Sequence, residues 1–439
     1  MSHWLFSKLN VNYLIYNSST LLANVDFALQ TSFISNCFVL LIILMYIITT
    51  IYSIGYFIFE REKKVFKFHF FAFCSVISCI GLAYSKNLFT AFIFYDLLSI
   101  FTYILVKHNN KNEETEQNAF KYAMYLIIPS TLLLLPAIIF VYNIAEHVDF
   151  EAGGILSKYP ISKMYINILF FLFMYGISKT AIYPLHKWLI HAMVAPSPVS
   201  ALLHAVLVVK GGLFLLYKVI NEIFGLQLLN DNIYTFFGIN WPIYIAAISI
   251  VFAGMSATAS VNIKKRLAYS TISQIGYISL CLFCFTENGL FGAKMHFLSH
   301  SFAKISLFYY AGYLLSRYHC ENINELKYQR NHFNFFLSLL WLIPCASLMS
   351  MPLTMGYISK HAIIFGVIKA KQDLLILIVV LIGTLLCISY MQPIVYHLIL
   401  FKNNKRFTGQ YGSTFCVYFS AFIIAMFIIC GTIFLAKIH

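Results

Sequence analysis

Charge is what this sequence has least of. Only 10% of its 439 residues are Asp, Glu, Lys or Arg, where soluble globular domains carry about 25%. A soluble fold is thereby excluded, and the chain reads as an integral membrane protein. The glycine-rich signatures of nucleotide sites are missing too: there is no GxGxxG and no GxxxxGK[ST]. No cysteine cluster has iron–sulfur spacing, and no loop is long enough for a soluble domain. No cofactor is therefore expected, and any redox or nucleotide chemistry coupled to this chain would reside on partner subunits. The 10 cysteines are scattered. Cys281 and Cys284 form a CxxC, but with no second pair and no His nearby they read as small buried hydrophobes rather than a metal or redox pair. The first 30 residues are too polar for a signal-peptide core, so no cleavable leader is expected.

What fills the chain is apolar: 60% hydrophobic residues, 18% aromatics and a mean hydropathy of +0.79. The hydrophobic stretches have helical length, many near the ~20 residues that span a bilayer, rather than the ten-residue alternation of a barrel. They predict an all-α polytopic membrane protein of about 12 transmembrane helices. The spans fall near residues 34–59, 66–84, 88–106, 120–144, 164–185, 199–220, 241–262, 267–286, 289–315, 332–368, 373–399 and 413–436. Pro344 and Pro352 predict a break in the tenth, which is too long for one straight span, and Pro184 an end or break in the fifth. The net charge of +14 comes from short inter-helix loops, so it reads as the positive-inside signal and not as nucleic-acid binding. One set of alternating loops holds the excess, including Arg61, Lys63, Lys64, Lys107, Lys111, Lys264, Lys265, Arg266, Lys402, Lys405 and Arg406. The other set, with Lys8, Lys86, Lys158, Lys218, Lys294 and Lys371, holds fewer. The first face should be cytoplasm or matrix, with both termini opposite. The loop 107–121 reads as a solvated connector in which glutamates balance lysines.

Four lysines break the apolar pattern: Lys179, Lys210, Lys304 and Lys360. A charge at bilayer depth costs several kcal/mol, so each needs a partner or a water-filled path. Asp96 is the one acid at their depth. A membrane protein that retains four buried bases and one buried acid implies movement of a charged species, most simply the proton. Lysine suits that role because burial disfavours an ammonium while a neighbouring carboxylate restores it, so moving the partner lets the amine take up or release a proton. The competing reading of Lys179 is a static ion pair with Asp96 that fixes packing. His204, one turn and a half before Lys210, reads equally as a relay member or as a hydrogen-bonded structural histidine. Further on, HFLSHSFAK sets His296, His300 and Lys304 at i, i+4 and i+8 on one helical face, a candidate polar wire. That spacing also suits a metal pair, but no acid accompanies it and no metal is expected. Lys360 follows Pro352 much as Lys179 precedes Pro184. This symmetry predicts a tail at 1–33, a leading helix at 34–65, two five-helix inverted repeats at 66–220 and 241–399, and a last helix at 413–439.

The run KTAIYPLHKWLIHAMVAPSPVSALLHAVLVVKGG (179–212), then KKRLAYSTISQIGY (264–277), HFLSHSFAK and PLTMGYISK resemble the antiporter-like membrane subunits. That family is shared by the proton-pumping subunits of respiratory complex I (NADH:quinone oxidoreductase) and by Mrp-type multisubunit Na+/H+ antiporters. The likeness covers about residues 35–400. YILVKH, LLLLPAIIFVYNIA and DFEAGGIL look closest to the Mrp D-type subunit. The resemblance implies a mid-membrane hydrophilic axis in which Asp96 stands at the family's intramembrane acid, Lys179 at its broken-helix lysine and Lys210 at the next-helix lysine. Lys304 with its histidines then forms the second half-channel, with Lys360 as the exit-side base. It implies partners among other membrane subunits, the lipid bilayer as surroundings, and H+ and Na+ as the ions. It also implies a bacterial inner (plasma) membrane or, alternatively, a mitochondrial inner membrane. Two alternatives stand beside Mrp-type antiport: a proton-pumping subunit of complex I, which would make the chain part of an enzyme, and a non-conducting structural subunit. The sequence departs from the family at Asp96, where glutamate is usual, and at Ile190, where a proline commonly follows Trp-Leu. It is also expected to lack two N-terminal helices and a long lateral C-terminal helix.

Overall fold

The computed structural model describes residues 14–17, 26–109, 112–332, 335–370, 374–400 and 411–438. Of the basic residues counted for orientation, Lys8, Lys111, Lys371, Lys402, Lys405 and Arg406 lie outside them. In lipid, every backbone N–H and C=O must find a partner within the protein, so an apolar chain resolves into helices and interrupts them only where other segments pack around the break.

The described part of the tail forms a short antiparallel ribbon, β1 (Leu14–Asn17) against β2 (Ala28–Gln30). The Ser32 hydroxyl then caps α1 (Phe33–Glu60) by accepting from the Ser35 amide at 3.1 Å. After α2 (Val65–Tyr84) comes α3 (Leu88–Val106), capped by Asn87, whose Oδ1 accepts from the Thr90 amide at 2.8 Å. The Asn87 amide donates to the Asp26 carbonyl at 2.7 Å, which fastens the end of the tail to the bundle. The fourth span runs α4 (Glu113–Pro129), a π-helical turn (Ser130–Leu134) and α5 (Leu135–Ala145). It starts earlier than its hydropathy indicates. Glu113, Glu114 and Glu116, expected in a solvated connector, occupy the first turn of α4, where carboxylates complement the helix dipole.

The fifth span breaks where expected. α6 (Lys163–Gly176) ends just before a single 3₁₀ turn, Ser178–Thr180, and the chain resumes in α7 (Lys187–His191). The sixth, predicted as one helix, is two: α8 (Ser197–Ala205) and α9 (Val208–Lys218), followed by a π-helical turn (Val219–Phe224). Leu207 between them donates its amide to the Leu202 carbonyl, and its own carbonyl accepts from the buried Cys79 thiol at 3.6 Å. A short α10 (Leu226–Asn232) and the two-residue strands β3 (Thr235–Phe236) and β4 (Ile239–Asn240) lead to α11 (Trp241–Ala259), α12 (Ile263–Leu282) and α13 (Glu287–Tyr318). The tenth span divides into α14 (Phe335–Leu348) and α15 (Met355–Lys369), with Pro352 in the gap. Pro344 does not break it: the helix runs on through that position for one more turn. α16 (Leu374–Ile399) and α17 (Tyr411–Ile438) complete the described residues.

Eight helical segments among the described residues are long and apolar enough to cross a membrane. The four predicted spans outside that set are α6 with its break, α12, α13 and α14–α15. These are the ones that carry Lys179, Gln274, the His296–Lys304 face and Lys360. Ser197–Phe224, which carries Lys210, is apolar but wholly buried. The polar elements thus stack behind an apolar wall. α11 packs on α12, α13 on α15, and α17 lies across α1 and α13. Tyr52 of α1 stacks on Tyr309 of α13 with ring centroids 4.0 Å apart, and Thr49 joins the Tyr309 hydroxyl at 2.7 Å.

Candidate functional site

Every predicted lysine is fully or nearly fully buried: Lys179, Lys210 and Lys304 at 0% exposure and Lys360 at 5%. The break in the fifth span turns Lys179 toward α3. Its ammonium donates to the Tyr95 carbonyl at 2.8 Å and to Ser99 Oγ at 2.6 Å, and it lies 3.1 Å from the centre of the Tyr95 ring. The turn is held from behind by Gly212 of α9. A Cβ there would lie 2.7 Å from Lys179 Cβ and 2.8 Å from its carbonyl carbon, so only glycine admits this approach.

Asp96 sits between those two contacts on α3 and is not ion-paired to Lys179. Its Oδ1 accepts from Ser130 Oγ at 2.8 Å, in the π-helical turn of the fourth span. Pro129 and Pro136 flank that turn and remove two amide donors from the ladder, which loosens it locally. The same turn touches the Lys179 break: a Cβ on Gly176 would lie 2.5 Å from the Leu134 amide nitrogen. The static ion pair is therefore not the arrangement found.

Lys210, on α9, makes no hydrogen bond within the described residues; its ammonium rests 4.3 Å from the centre of the Phe297 ring. His204, on α8, is also without a hydrogen bond and packs against Phe308 at 4.6 Å between ring centres. Both therefore face α13. On that helix His296, His300 and Lys304 do line one face. His300 makes no hydrogen bond among the described residues, and its ring centre lies 6.3 Å from that of His296. Lys304 donates to the Leu267 carbonyl at 3.0 Å and to Ser270 Oγ, both on α12. His296 joins Ser359 through Nδ1 at 3.0 Å and Gln274 through Nε2 at 2.9 Å, and Gln274 in turn donates to the Tyr390 hydroxyl at 3.0 Å. Ser359 adjoins Lys360, whose ammonium lies 2.9 Å from the centre of the Tyr277 ring and makes no hydrogen bond among the described residues.

The structure thus sets Lys210 and His204 against α13, which carries His296, His300 and Lys304, links His296 to the residue before Lys360, and packs the Lys179 turn on α9, the helix of Lys210. His296 spends both ring nitrogens on side-chain partners. Sequence reasoning missed the neutral partners Tyr95, Ser99, Ser130, Ser270, Gln274, Tyr277 and Ser359. A signal existed for three of them: Ser270, Gln274 and Tyr277 fall at i, i+4 and i+7 and so share a face of α12. It also missed a fifth buried lysine. Lys218, assigned to a loop, closes α9 and donates to the Ser85 carbonyl at 2.6 Å, 3.9 Å from Glu222. Arg266, also assigned to a loop, is buried and caps α11. It donates to the carbonyls of Ser260 and Thr258 at 2.9 and 3.0 Å and to that of Tyr390 on α16 at 2.9 Å.

Residues 85–387 match the family model described as NADH:quinone oxidoreductase/Mrp antiporter, transmembrane. Among curated relatives, the protein provisionally named antiporter subunit mnhA2 in Staphylococcus aureus (strain USA300 / TCH1516) is 28% identical over 370 residues, which is 80% of this chain and 44% of that protein. The chain thus spans less than half the length of the curated relatives it matches. Their name carries the antiporter reading and not the D-type one. Among solved structures, the membrane-bound sulfane sulfur reductase, an archaeal respiratory membrane complex, contains a chain with a TM-score of 0.81 at 20% identity, covering 100% of this chain and 87% of that one. A chain of the Mrp complex from Dietzia sp. DQ12-45-1b has a TM-score of 0.76 at 18% identity, covering 98% of this chain and 46% of that one. At these identities the two structures speak to the fold.

Proposed function

This chain belongs to the NADH:quinone oxidoreductase/Mrp antiporter family of membrane proteins, and on that footing we propose that it conducts protons along its buried axis. The path runs from Asp96 and Lys179 through Lys210, His300 and Lys304 to Lys360, with His204 and His296 assisting. One observation carries the reading most: His300 and Lys210 are both buried without a hydrogen bond among the described residues, with His300 6.3 Å from His296 between ring centres. Buried polar groups are satisfied by protein or by water, so water is the natural link between these side chains. Lys304 and Lys179 are held by hydroxyl and carbonyl oxygens that accept from an ammonium, and those hydroxyls can donate to a neutral amine once it has released its proton.

The chain would do this as one membrane subunit of a multisubunit complex, multi-pass in a bacterial plasma membrane, in Mrp-type exchange of protons for a cation such as Na+. The name of the S. aureus relatives supports that reading. Residues 66–220 and 241–399 are proposed to be two inverted repeats, since each has a broken fourth span bearing a lysine, Lys179 or Lys360. The rival reading, a proton-pumping subunit of a quinone reductase, uses the same axis and is separated from the first by which subunits co-purify.

Proton flux into inverted membrane vesicles tests the proposal, with wild type and Lys179→Ala each expressed beside the native neighbouring genes. Flux on energisation or on a sodium pulse that collapses in the variant supports it, and the stimulus identifies the coupling. Equal flux from both, with the complex assembled, would favour the structural-subunit reading.

A further inference from the structure

An apolar cavity of about 450 Å³ lies between the start of α1, the end of α9, the end of α12 and the start of α13. Cys37, Phe214, Leu282 and Phe297 are among the side chains that wall it, and Lys294 is its charged member. The relay uses none of these residues. The cavity is not sealed: Cys37 and Lys294 are exposed and Phe297 is half-buried, so it opens at the flank of the bundle. Lys294 stands at that opening with its ammonium 5.1 Å from the centre of the Tyr217 ring. It makes no ion pair among the described residues, and Glu287 lies two turns earlier on α13.

We propose that this cavity holds one acyl chain of an anionic glycerophospholipid, with the lipid phosphate on Lys294. Three observations converge on that occupant. The walls are almost wholly apolar, and an apolar cavity excludes water and takes apolar ligands. The helices that form it stand in a bilayer, whose acyl chains are the apolar molecules at hand. The one charge lining the cavity is cationic and makes no ion pair among the described residues, and an anionic headgroup is its complement. A polar metabolite has nothing to bind in such walls, and a free phosphate has no use for the cavity behind Lys294.

The site also borders the buried axis. Phe297 is a wall of the cavity, and Lys210 rests on the same ring at 4.3 Å. A lipid tail in the cavity packs the face of Phe297 away from the axis and completes the seal between Lys210 and the bilayer. The binding claim stands on the cavity alone and is independent of proton conduction.

Native mass spectrometry of the detergent-purified protein tests the claim, after reconstitution in vesicles of equal phosphatidylglycerol and phosphatidylcholine. The expected result is one retained phospholipid, enriched about tenfold in phosphatidylglycerol. Lys294→Gln should keep a lipid but lose the enrichment. Ala293→Phe, which fills the cavity from α13, and Cys37→Phe, which fills it from the exposed edge of α1, should each lose the retained lipid. Retention unchanged in both filling variants would overturn the proposal, as would enrichment unchanged in Lys294→Gln. A cavity found occupied by another protein segment would overturn it too. None of these readouts depends on flux, so failure here is distinct from failure of the proton-conduction reading.

Discussion

Lys179 donates to Ser99 Oγ at 2.6 Å, three residues beyond Asp96 on the same helix, while Asp96 accepts from Ser130 and makes no ion pair with Lys179. Base and acid are thus adjacent but separately held, each by a hydroxyl. An arrangement of this kind has a second state within reach, in which both hydroxyls are released and the charges meet.

Ser130→Ala tests that second state. It deletes the bond that holds the carboxylate away, an interaction with a charged group worth about 1.5–3 kcal/mol. The Asp96 carboxylate should then swing to Lys179 and close to within about 4 Å, the range of an ion pair. A cryo-electron microscopy structure of the variant complex reads this directly, and an Asp96 side chain that stays put would count against a two-state pair.

Gly212→Ala places a methyl group against the backbone of the Lys179 turn, with Thr180 N 2.9 Å away. Overpacking of this kind costs about 1–3 kcal/mol. Lower thermal stability should accompany lower flux. Equal flux in wild type and Gly212→Ala would show that the position of this turn does not matter to conduction.

Gln274→Leu strands His296 Nε2 and takes from the Tyr390 hydroxyl its Gln274 donor. Leaving buried polar groups unsatisfied costs about 1–3 kcal/mol each. A double-mutant cycle with Tyr390→Phe should show strong coupling, because the two residues belong to one network. Additive losses of stability would mean that the His296–Gln274–Tyr390 chain is not a unit.

How much of this was legible beforehand depended on the cost of each residue in lipid. A lysine or histidine inside an apolar run is expensive enough to stand out, so Lys179, Lys210, Lys304, Lys360 and the face of His296 and His300 were visible from composition and spacing. Serine, glutamine and tyrosine cost little in a helix, and their hydroxyls can bond their own backbone, as Ser99 does with Tyr95. The partners that decide where each lysine points were therefore silent. Breaks were legible only where proline signalled them. Pro352 marked one, but the interruption at Val206–Leu207 has no such residue and arises from packing, where the Cys79 thiol joins the Gly211 amide on the Leu207 carbonyl. Pro344 misled for the converse reason: neighbouring helices can satisfy a backbone group that proline frees, so a proline need not end a buried helix. Lys218 and Arg266 were misplaced because they lie at helix ends, where hydropathy cannot distinguish a solvated cation from one turned inward onto carbonyls.

The most direct measurement takes His300, which the proposed path places between Lys210 and Lys304. His300→Leu keeps the side chain buried and apolar and removes the titratable ring. In vesicles holding the assembled complex, proton flux should fall by at least about a hundredfold, the scale on which a positioned proton carrier contributes, with the complex still intact by size and composition. Undiminished flux from an intact complex would contradict the account, because the proposed path passes through His300.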